Sequence, residues 1–371
     1  MVKSAVLVEE GLARPYAQSK PIDVRDLELG RAEGRNVRVR VKVAGVCHSD
    51  LSVVNGSRSR PRPMVLGHEA SGIVMETGSE VSGVKVGDHV AFTFQPHCGE
   101  CELCLDSGGE RCSPALQANV EGTLVDGSTV FRDHGEGVYH HTGVSAFSEE
   151  TIVHESSVVV IDDDVPFEIG AVLGCAVTTG GGAVKNAARL AEGETVAVVG
   201  AGGVGMASAL VARALKASRV DIVDLSESKR EMAMTLGFDH AYSPSDAPHA
   251  SYDVVIEAAG VAAALEGAVP LLRPGGRLVS VGLPRPGSSV SVDYLDLVFN
   301  NKSIIGSYHG SGNLVADLSL YVSMWRSGAL PLEDLITDRI GIDYLNEAFD
   351  ALSDARVLRQ LVMIDAGDEA L

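Results

Sequence analysis

Apolar positions along this chain follow two rhythms. The run Val37-Arg38-Val39-Arg40-Val41-Lys42-Val43 alternates apolar with cationic residues, a period of two that predicts a strand with one buried face. Residues 1–10 hold a short apolar stretch interrupted by acids, with no small-residue cleavage site behind it, and read as a first strand rather than a signal. From Thr195 the rhythm changes. Apolar-rich runs at 195–199, 219–223, 252–260, 276–282 and 302–306 meet glycine or acid at their ends, with helix-like segments such as 206–215 between them. Strands of that kind predict an open, mostly parallel sheet whose ligand lies beyond the strand ends.

A length of 371 residues points to two domains rather than one. Hydrophobic residues make up 45% and aromatics only 5%, a balance that suits an α/β protein built on branched aliphatic strands. The net charge of -20 repels phosphate backbones and anionic bilayers, so neither nucleic acid nor membrane is expected as a partner. No stretch approaches the roughly 18 apolar residues that span a bilayer. A reducing, cytoplasmic setting is the expectation.

Six cysteines bring the first chemistry, and Cys98, Cys101, Cys104 and Cys112 share one short window. In a large chain without a signal, thiolate ligands are a better use of them than disulfides. Spaced on a loop punctuated by Gly99 and Gly108-Gly109, they can fold around one tetrahedral Zn²⁺. Four sulfurs leave no place for substrate, so the role is structural. A redox-sensing thiol cluster fits the same spacing, whereas a nucleic-acid knuckle conflicts with Glu100, Glu102, Asp106 and Glu110 in the loop.

Cys47-His48-Ser49-Asp50 follows the alternating strand, and Gly67-His68-Glu69 comes after the turn-rich Pro61-Arg62-Pro63. Each is weak alone. Combined with Cys175, they offer two thiolates and one imidazole, which would leave the fourth tetrahedral position of a catalytic zinc open. Asp50 is the carboxylate expected to fix the His68 tautomer, with Glu69 behind the ligands.

The first run of the parallel sheet leads into Gly200-Ala201-Gly202-Gly203-Val204-Gly205 and then a helix-like segment. Gly200 permits the tight turn, Gly202 lets backbone amides approach a pyrophosphate, and Gly205 allows helix and strand to pack closely. Asp224 closes the next strand, where a carboxylate accepts from ribose hydroxyls and repels a 2′-phosphate, favouring NAD over NADP. Lys229 is either a ribose neighbour or an exposed lysine on the following helix.

With these motifs in order, the sequence resembles the zinc-containing medium-chain alcohol dehydrogenases over essentially its whole length. It is particularly similar to the long-loop branch of liver-type enzymes and glutathione-dependent formaldehyde dehydrogenases, through Asp126-Gly127-Ser128 and Phe147-Ser148-Glu149-Glu150-Thr151. The resemblance implies a GroES-like, mainly-β catalytic domain at 1–176, completed by 312–371. Between them, at 177–311, it implies a Rossmann doubly wound parallel sheet. Two zinc ions per subunit follow, one held by Cys47, His68 and Cys175 and one by Cys98, Cys101, Cys104 and Cys112. By the same resemblance Ser49 takes the alcohol proton, His48 and Arg359 hold the cofactor pyrophosphate, and Thr179 and Val204 press the nicotinamide toward substrate. Gly203 belongs to the same cofactor turn.

Two departures matter. Many relatives carry a His three or four residues after the Ser49 position, where Ser52 and Val53 stand here, so the outer proton step is expected through Ser52, His48 or water. The formaldehyde branch typically has an Arg where Ala115 stands, which disfavours a glutathione adduct. Phe94 matches an aromatic pocket wall, while Arg58, His141 and Thr142 stand at positions that are apolar in liver-type enzymes. They imply either a more polar pocket or a shifted, solvent-facing loop. The expected reaction is reversible oxidation of a primary or secondary alcohol with NAD⁺, in a homodimer or homotetramer paired near Ser303–Ser307. The alternatives are a polyol or thiol-adduct dehydrogenase, and a zinc-bound redox sensor without turnover.

Overall fold

The computed structural model describes residues 1–107 and 111–364, which places Gly108, Gly109 and Glu110 outside the described residues. The chain forms two compact units. The first comprises Met1–Cys175, Ile336–Asp354 and the segment from Arg359; the second runs over Ala176–Leu335 with Ala355–Leu358.

In the first unit, strands Val2–Leu7, Ile22–Leu29, Phe131–Asp133, Glu136–His140 and Met64–Val65 close into a barrel. A seven-stranded sheet has Asn36–Gly45 at its centre, paired antiparallel with Glu69–Thr77, Glu150–His154 and Arg359–Met363. The alternation that predicts this strand is realised: Val37, Val39, Val41 and Val43 are all buried. Each such valine contributes roughly 1.5–3 kcal/mol of transfer free energy.

The second unit holds six parallel strands in the spatial order His240–Tyr242, Arg219–Val223, Thr195–Val199, Tyr252–Glu257, Leu272–Ser280, Ser303–Gly306. Numbered along the chain this is 3-2-1-4-5-6, the order of the doubly wound dinucleotide-binding sheet. All six residues of Tyr252–Glu257 are buried, as a strand covered on both faces requires.

The sequence places the end of this unit at 311, yet it continues to Leu335. Helix Leu314–Arg326 accounts for the difference: it buries Leu318, Tyr321 and Val322. A Cβ on Gly181 would meet the Tyr321 ring at 2.7 Å, and Lys185 Nζ lies 2.8 Å from Asp317 Oδ1.

One helical run, Phe167–Ala187, is long and apolar enough to cross a bilayer, which sequence reading did not detect. Its most apolar window is 89% buried inside the protein, the behaviour of a core helix.

His140, the last residue of a barrel strand, is fully buried with its ring centroid 5.1 Å from that of Phe131. Neither ring nitrogen has a hydrogen-bond partner, and burial pushes its pKa from 6.5 down to about 3, against the weak opposing pull of Asp126. The folded state therefore favours the neutral ring, so stability is complete above the unfolded-state pKa and is lost as pH falls from about 6.5 toward 3. Between about pH 7 and pH 5, the wild-type protein is expected to lose about 2 kcal/mol more than His140→Phe. Urea unfolding at the two pH values measures this, and equal losses in the two proteins would refute it.

Candidate active site and metal centres

Three elements of the first unit converge on one point. Cys47 caps helix His48–Val54 where strand Asn36–Gly45 ends, His68 immediately precedes strand Glu69–Thr77, and Cys175 sits in the widened turn Leu173–Val177. Gly174 makes the last approach possible, because a Cβ there would lie 1.8 Å from the Phe92 carbonyl oxygen. Cys47, His68 and Cys175 are all buried, and their donor atoms lie within 4.8 Å of one another. Cys175 Sγ is 3.6 Å from His68 Nε2. Bonds of about 2.3 Å to sulfur and 2.0–2.1 Å to nitrogen at a tetrahedral angle separate the two donors by about 3.6 Å. The donor set therefore fits zinc in both chemistry and spacing.

Asp50 stands behind His68. It is fully buried, accepts from Gly67 N at 3.0 Å, and lies 3.1 Å from His68 Nδ1, leaving Nε2 turned toward the sulfurs. Burial opposes a charge on His68, but Asp50 and Cys47 together raise its pKa well above the usual value. The hydrogen bond with Cys175, then the charges of Arg359 and His68, hold the Cys47 thiol well below the thiol range; Cys175 is pushed well above it. Burial raises Glu69 to about 7 in spite of Arg359, whose Nε is 3.3 Å from Glu69 Oε1.

Arg359, expected at the cofactor pyrophosphate, is held by Glu69 and Val46. Its side chain is 3% exposed and is committed to Glu69 and, through a 3.2 Å hydrogen bond, to the Val46 carbonyl. Such placement supports the Cys47 and Glu69 side chains. Ser49 Oγ lies 4.0 Å from Cys47 Sγ, close to the donor set. His48 is exposed, and Ser52 Oγ donates to the His48 carbonyl one helical turn back, so the Ser52 hydroxyl proton is committed to the helix.

Phe94 and His141 flank His68, each edge-on, with centroid separations of 5.4 and 5.6 Å. His141 Nε2 is 3.4 Å from Asp50 Oδ1, and burial brings the His141 pKa down to about 4. Of the other expected pocket residues, Thr142 donates its hydroxyl to the His141 carbonyl at 2.7 Å. The cation whose charge reaches His141 is Arg60, two residues beyond the expected Arg58. Arg58 donates its backbone amide to Ser52 O on the turn after helix His48–Val54. The alternating Arg58-Ser59-Arg60 pattern was the available signal, but it does not reveal which arginine turns inward.

The second cysteine group is also assembled. Cys98 Sγ lies 3.9 Å from Cys104 Sγ and 3.6 Å from Cys112 Sγ, against about 3.8 Å for a tetrahedron of 2.3 Å zinc–sulfur bonds. The amides of Glu100 and Cys101 donate to Cys98 Sγ, and that of Cys98 to Cys112 Sγ. A backbone hydrogen bond from Cys104 contributes most to lowering Cys101 to about 6, while burial raises Cys104 to about 12. Arg35 ties the lobe down through the Cys98 carbonyl and its ion pair with Glu155.

In the second unit the glycine turn leads into helix Gly203–Ala214, capped by Gly202. Gly200 has φ +98°, and a Cβ on Gly205 would lie 1.9 Å from the Gly200 carbonyl oxygen, so both glycines are required by the backbone. A Cβ on Gly202 would meet nothing within 4 Å, open space at the helix N-terminus of the kind a pyrophosphate occupies. Asp224 accepts from Ala201 N at 2.7 Å and from Ser226 N at 2.8 Å. Val204 is half-buried in the first turn of that helix, Thr179 is buried, and Lys229 is half-buried on helix Glu227–Thr235. Sequence reading missed Glu257: this buried carboxylate accepts from Ala259 N, Gly260 N and Ser280 Oγ, bracing the loop that packs on Gly200.

Metal-donor geometry in a barrel-bearing unit, together with a doubly wound sheet, defines the class of zinc-binding, dinucleotide-dependent dehydrogenases. Comparisons with known proteins agree. The alcohol dehydrogenase GroES-like domain matches residues 33–163, and the zinc-binding dehydrogenase domain matches 203–324. An S-(hydroxymethyl)glutathione dehydrogenase of Escherichia coli O1:K1 is 32% identical over 94% of this chain and 97% of its own. Among solved structures, benzyl alcohol dehydrogenase from Acinetobacter calcoaceticus is 28% identical with a TM-score of 0.89, covering 98% of this chain and 99% of its own. An alcohol dehydrogenase zinc-binding domain protein from Burkholderia ambifaria, also 28% identical, gives 0.91 over 98% of each chain. The chain belongs to the zinc-containing medium-chain alcohol dehydrogenase family.

Proposed function

We propose that this protein oxidises a primary or secondary alcohol, reversibly, by hydride transfer to NAD⁺. The observation that carries the reading is the Cys47, His68 and Cys175 donor set, three ligands among the described residues with donor atoms within 4.8 Å of one another. Zinc held there supplies positive charge that makes an alcohol proton easier to remove. The chain's own residues do the rest. Asp50 accepts from His68 Nδ1 and fixes its tautomer, Ser49 Oγ receives the alcohol proton, and Phe94 walls the substrate. The amides at the start of helix Gly203–Ala214 take the pyrophosphate, Asp224 the adenosine ribose, and Thr179 and Val204 the nicotinamide ring; His48 and Lys229 assist. Cys98, Cys101, Cys104 and Cys112 hold a second, structural zinc.

The experiment is metal analysis combined with NAD⁺ reduction over a panel of primary, secondary and benzylic alcohols. Two zincs with alcohol-dependent NADH formation supports the reading, whereas two zincs with no turnover supports a sensor. A thiol-adduct substrate is the second reading, favoured by the name of the Escherichia coli relative. Ala115, buried in helix Ser113–Glu121, offers no charge to a thiol carboxylate and weighs against it.

NAD preference rests on Asp224. Asp224→Ser is expected to lower the ratio of NAD⁺ to NADP⁺ kcat/KM by about a hundredfold, because like charges brought together cost several kcal/mol. An unchanged ratio refutes the assignment. We also infer a cytoplasmic homodimer or homotetramer. Strand Ser303–Gly306 is a sheet edge, and Tyr294, Leu295 and Phe299 are exposed beside it in sequence, apolar surface that a second copy would cover. Light scattering that gives a monomer excludes it.

A further inference from the structure

Glu257 is the last residue of strand Tyr252–Glu257 and is 1% exposed. Its Oε1 accepts from two amides of the loop that follows, Ala259 N at 2.9 Å and Gly260 N at 2.7 Å, while Oε2 accepts from Ser280 Oγ at 2.9 Å. Its own carbonyl accepts from Val281 N and Gly282 N, so one residue joins the ends of two neighbouring strands. These donors are all neutral, and burial raises the Glu257 pKa in spite of them. A buried carboxylate held by neutral groups costs more than an amide or hydroxyl in the same place. What it offers in return is acceptor capacity on both oxygens, enough to clamp the loop and the neighbouring strand at once.

The clamped loop stands where a sheet of this kind receives its ligand. In the spatial order 3-2-1-4-5-6 the direction of winding reverses between Thr195–Val199 and Tyr252–Glu257, and ligands of open α/β sheets lie in the crevice beyond those two strand ends. Backbone contacts run from Glu257 to the glycine turn without a gap. Ala258 N donates to the Val199 carbonyl, a Cβ on Gly200 would lie 2.8 Å from Ala259 N, and a Cβ on Gly205, in the first turn of helix Gly203–Ala214, would lie 1.9 Å from the Gly200 carbonyl oxygen. On the far side of the loop Gly260 has φ +70°, and a Cβ on Gly282 would meet Gly260 N at 2.1 Å. Main chain packs directly on main chain at each of these points, so no side chain is there to absorb a displacement by changing rotamer. A shift of Ala259 therefore passes through Gly200 to the start of the helix.

We propose that Glu257 is a positioning residue for the dinucleotide: by fixing the loop 258–260 against Gly200, it holds the glycine turn and the start of helix Gly203–Ala214 in the shape that binds the pyrophosphate. The proposal rests on the NAD⁺-dependent reading above. Glu257 turns its side chain onto its own loop and acts through Ala259 and Gly200, so its effect falls on cofactor affinity and not on the alcohol or the hydride step.

The test is the Kd of NADH, from fluorescence titration of the zinc-replete protein, in wild type, Glu257→Ala, Glu257→Gln, Ser280→Ala and Leu271→Ala. Loss of the charged acceptor should raise the Kd of Glu257→Ala by about 10- to 100-fold, and KM for NAD⁺ with it. Its kcat at saturating NAD⁺ and its KM for alcohol should stay within about threefold of wild type. Glu257→Gln keeps one oxygen for the two amides and should recover most of the affinity, while Ser280→Ala, which removes one of the three contacts, should raise Kd about threefold. Leu271 is buried in the core of the same unit, just ahead of strand Leu272–Ser280 and away from its Ser280 end, so Leu271→Ala should lower Tm and leave Kd unchanged. A Kd of Glu257→Ala within about twofold of wild type overturns the proposal, as does an equal rise in Leu271→Ala or a defect that falls on kcat with KM for NAD⁺ unchanged. Should Glu257→Ala not fold, wild-type Kd in both Glu257→Gln and Ser280→Ala overturns it, and a raised Kd in either with Leu271→Ala unchanged supports it. Wild type that binds NADH and oxidises no alcohol defeats the parent reading, and the Kd series still decides this one. Wild type that binds no NADH defeats both.

Discussion

His68→Ala is expected to lose alcohol-dependent NADH formation by more than about a thousandfold and to lose one of two bound zincs. The size follows from what His68 does twice. Its Nε2, 3.6 Å from Cys175 Sγ, is the only nitrogen among the three proposed ligands, and its Nδ1 is a main partner of a fully buried Asp50 carboxylate. Removing the ring therefore takes away a donor and strands a negative charge in the interior. Metal content by mass spectrometry and steady-state NADH formation read the two effects together. Turnover within tenfold of wild type in the alanine variant would overturn the assignment of the reacting centre.

Cys104→Ser should act on stability instead. The apolar residues gathered in the lobe are few: Cys104, Cys112 and Ala115 are buried, with Cys98, Cys101 and Val125 packed beside them. So small a cluster among the described residues cannot hold a loop by burial alone, and binding of the proposed structural zinc would supply folding free energy for this region. The expected result is a fall of roughly 10 °C in Tm and new proteolytic cleavage between 98 and 112. Protein that remains folded should keep its KM for NAD⁺, because the glycine turn lies in the other unit. An unchanged Tm would show that the four sulfurs do not carry the lobe.

Much of this architecture is legible before any coordinates. The strands at 37–43, 195–199 and 219–223 announce themselves because a period of two and an aliphatic-rich run are local signals. The cysteine lobe is legible because four soft donors stand within one window. What escaped depends on partners distant in sequence. Nothing in Leu314–Arg326 says that Tyr321 will rest on Gly181, so the boundary at 311 falls short of Leu335. Nothing in the sequence near Arg359 announces its ion pair with Glu69, almost three hundred residues earlier. Arg58 and Arg60 are equivalent on paper, and only the turn after helix His48–Val54 decides which charge reaches His141. The helical run Phe167–Ala187 escaped because glycines and threonines, poor helix formers in isolation, compose its middle and tertiary burial overrides them.

The double engagement of Asp224 sets a limit on redesign of this protein. Its two carboxylate oxygens hold the amides of Ala201 and Ser226, so a single side chain staples the glycine-rich bend to the end of the neighbouring strand. Exchanging it to admit a bulkier, more anionic dinucleotide therefore loosens the bend proposed to receive that molecule's phosphates. Any gain in tolerance would come with a softer grip, unless a hydroxyl or amide introduced nearby retains the contact with Ala201.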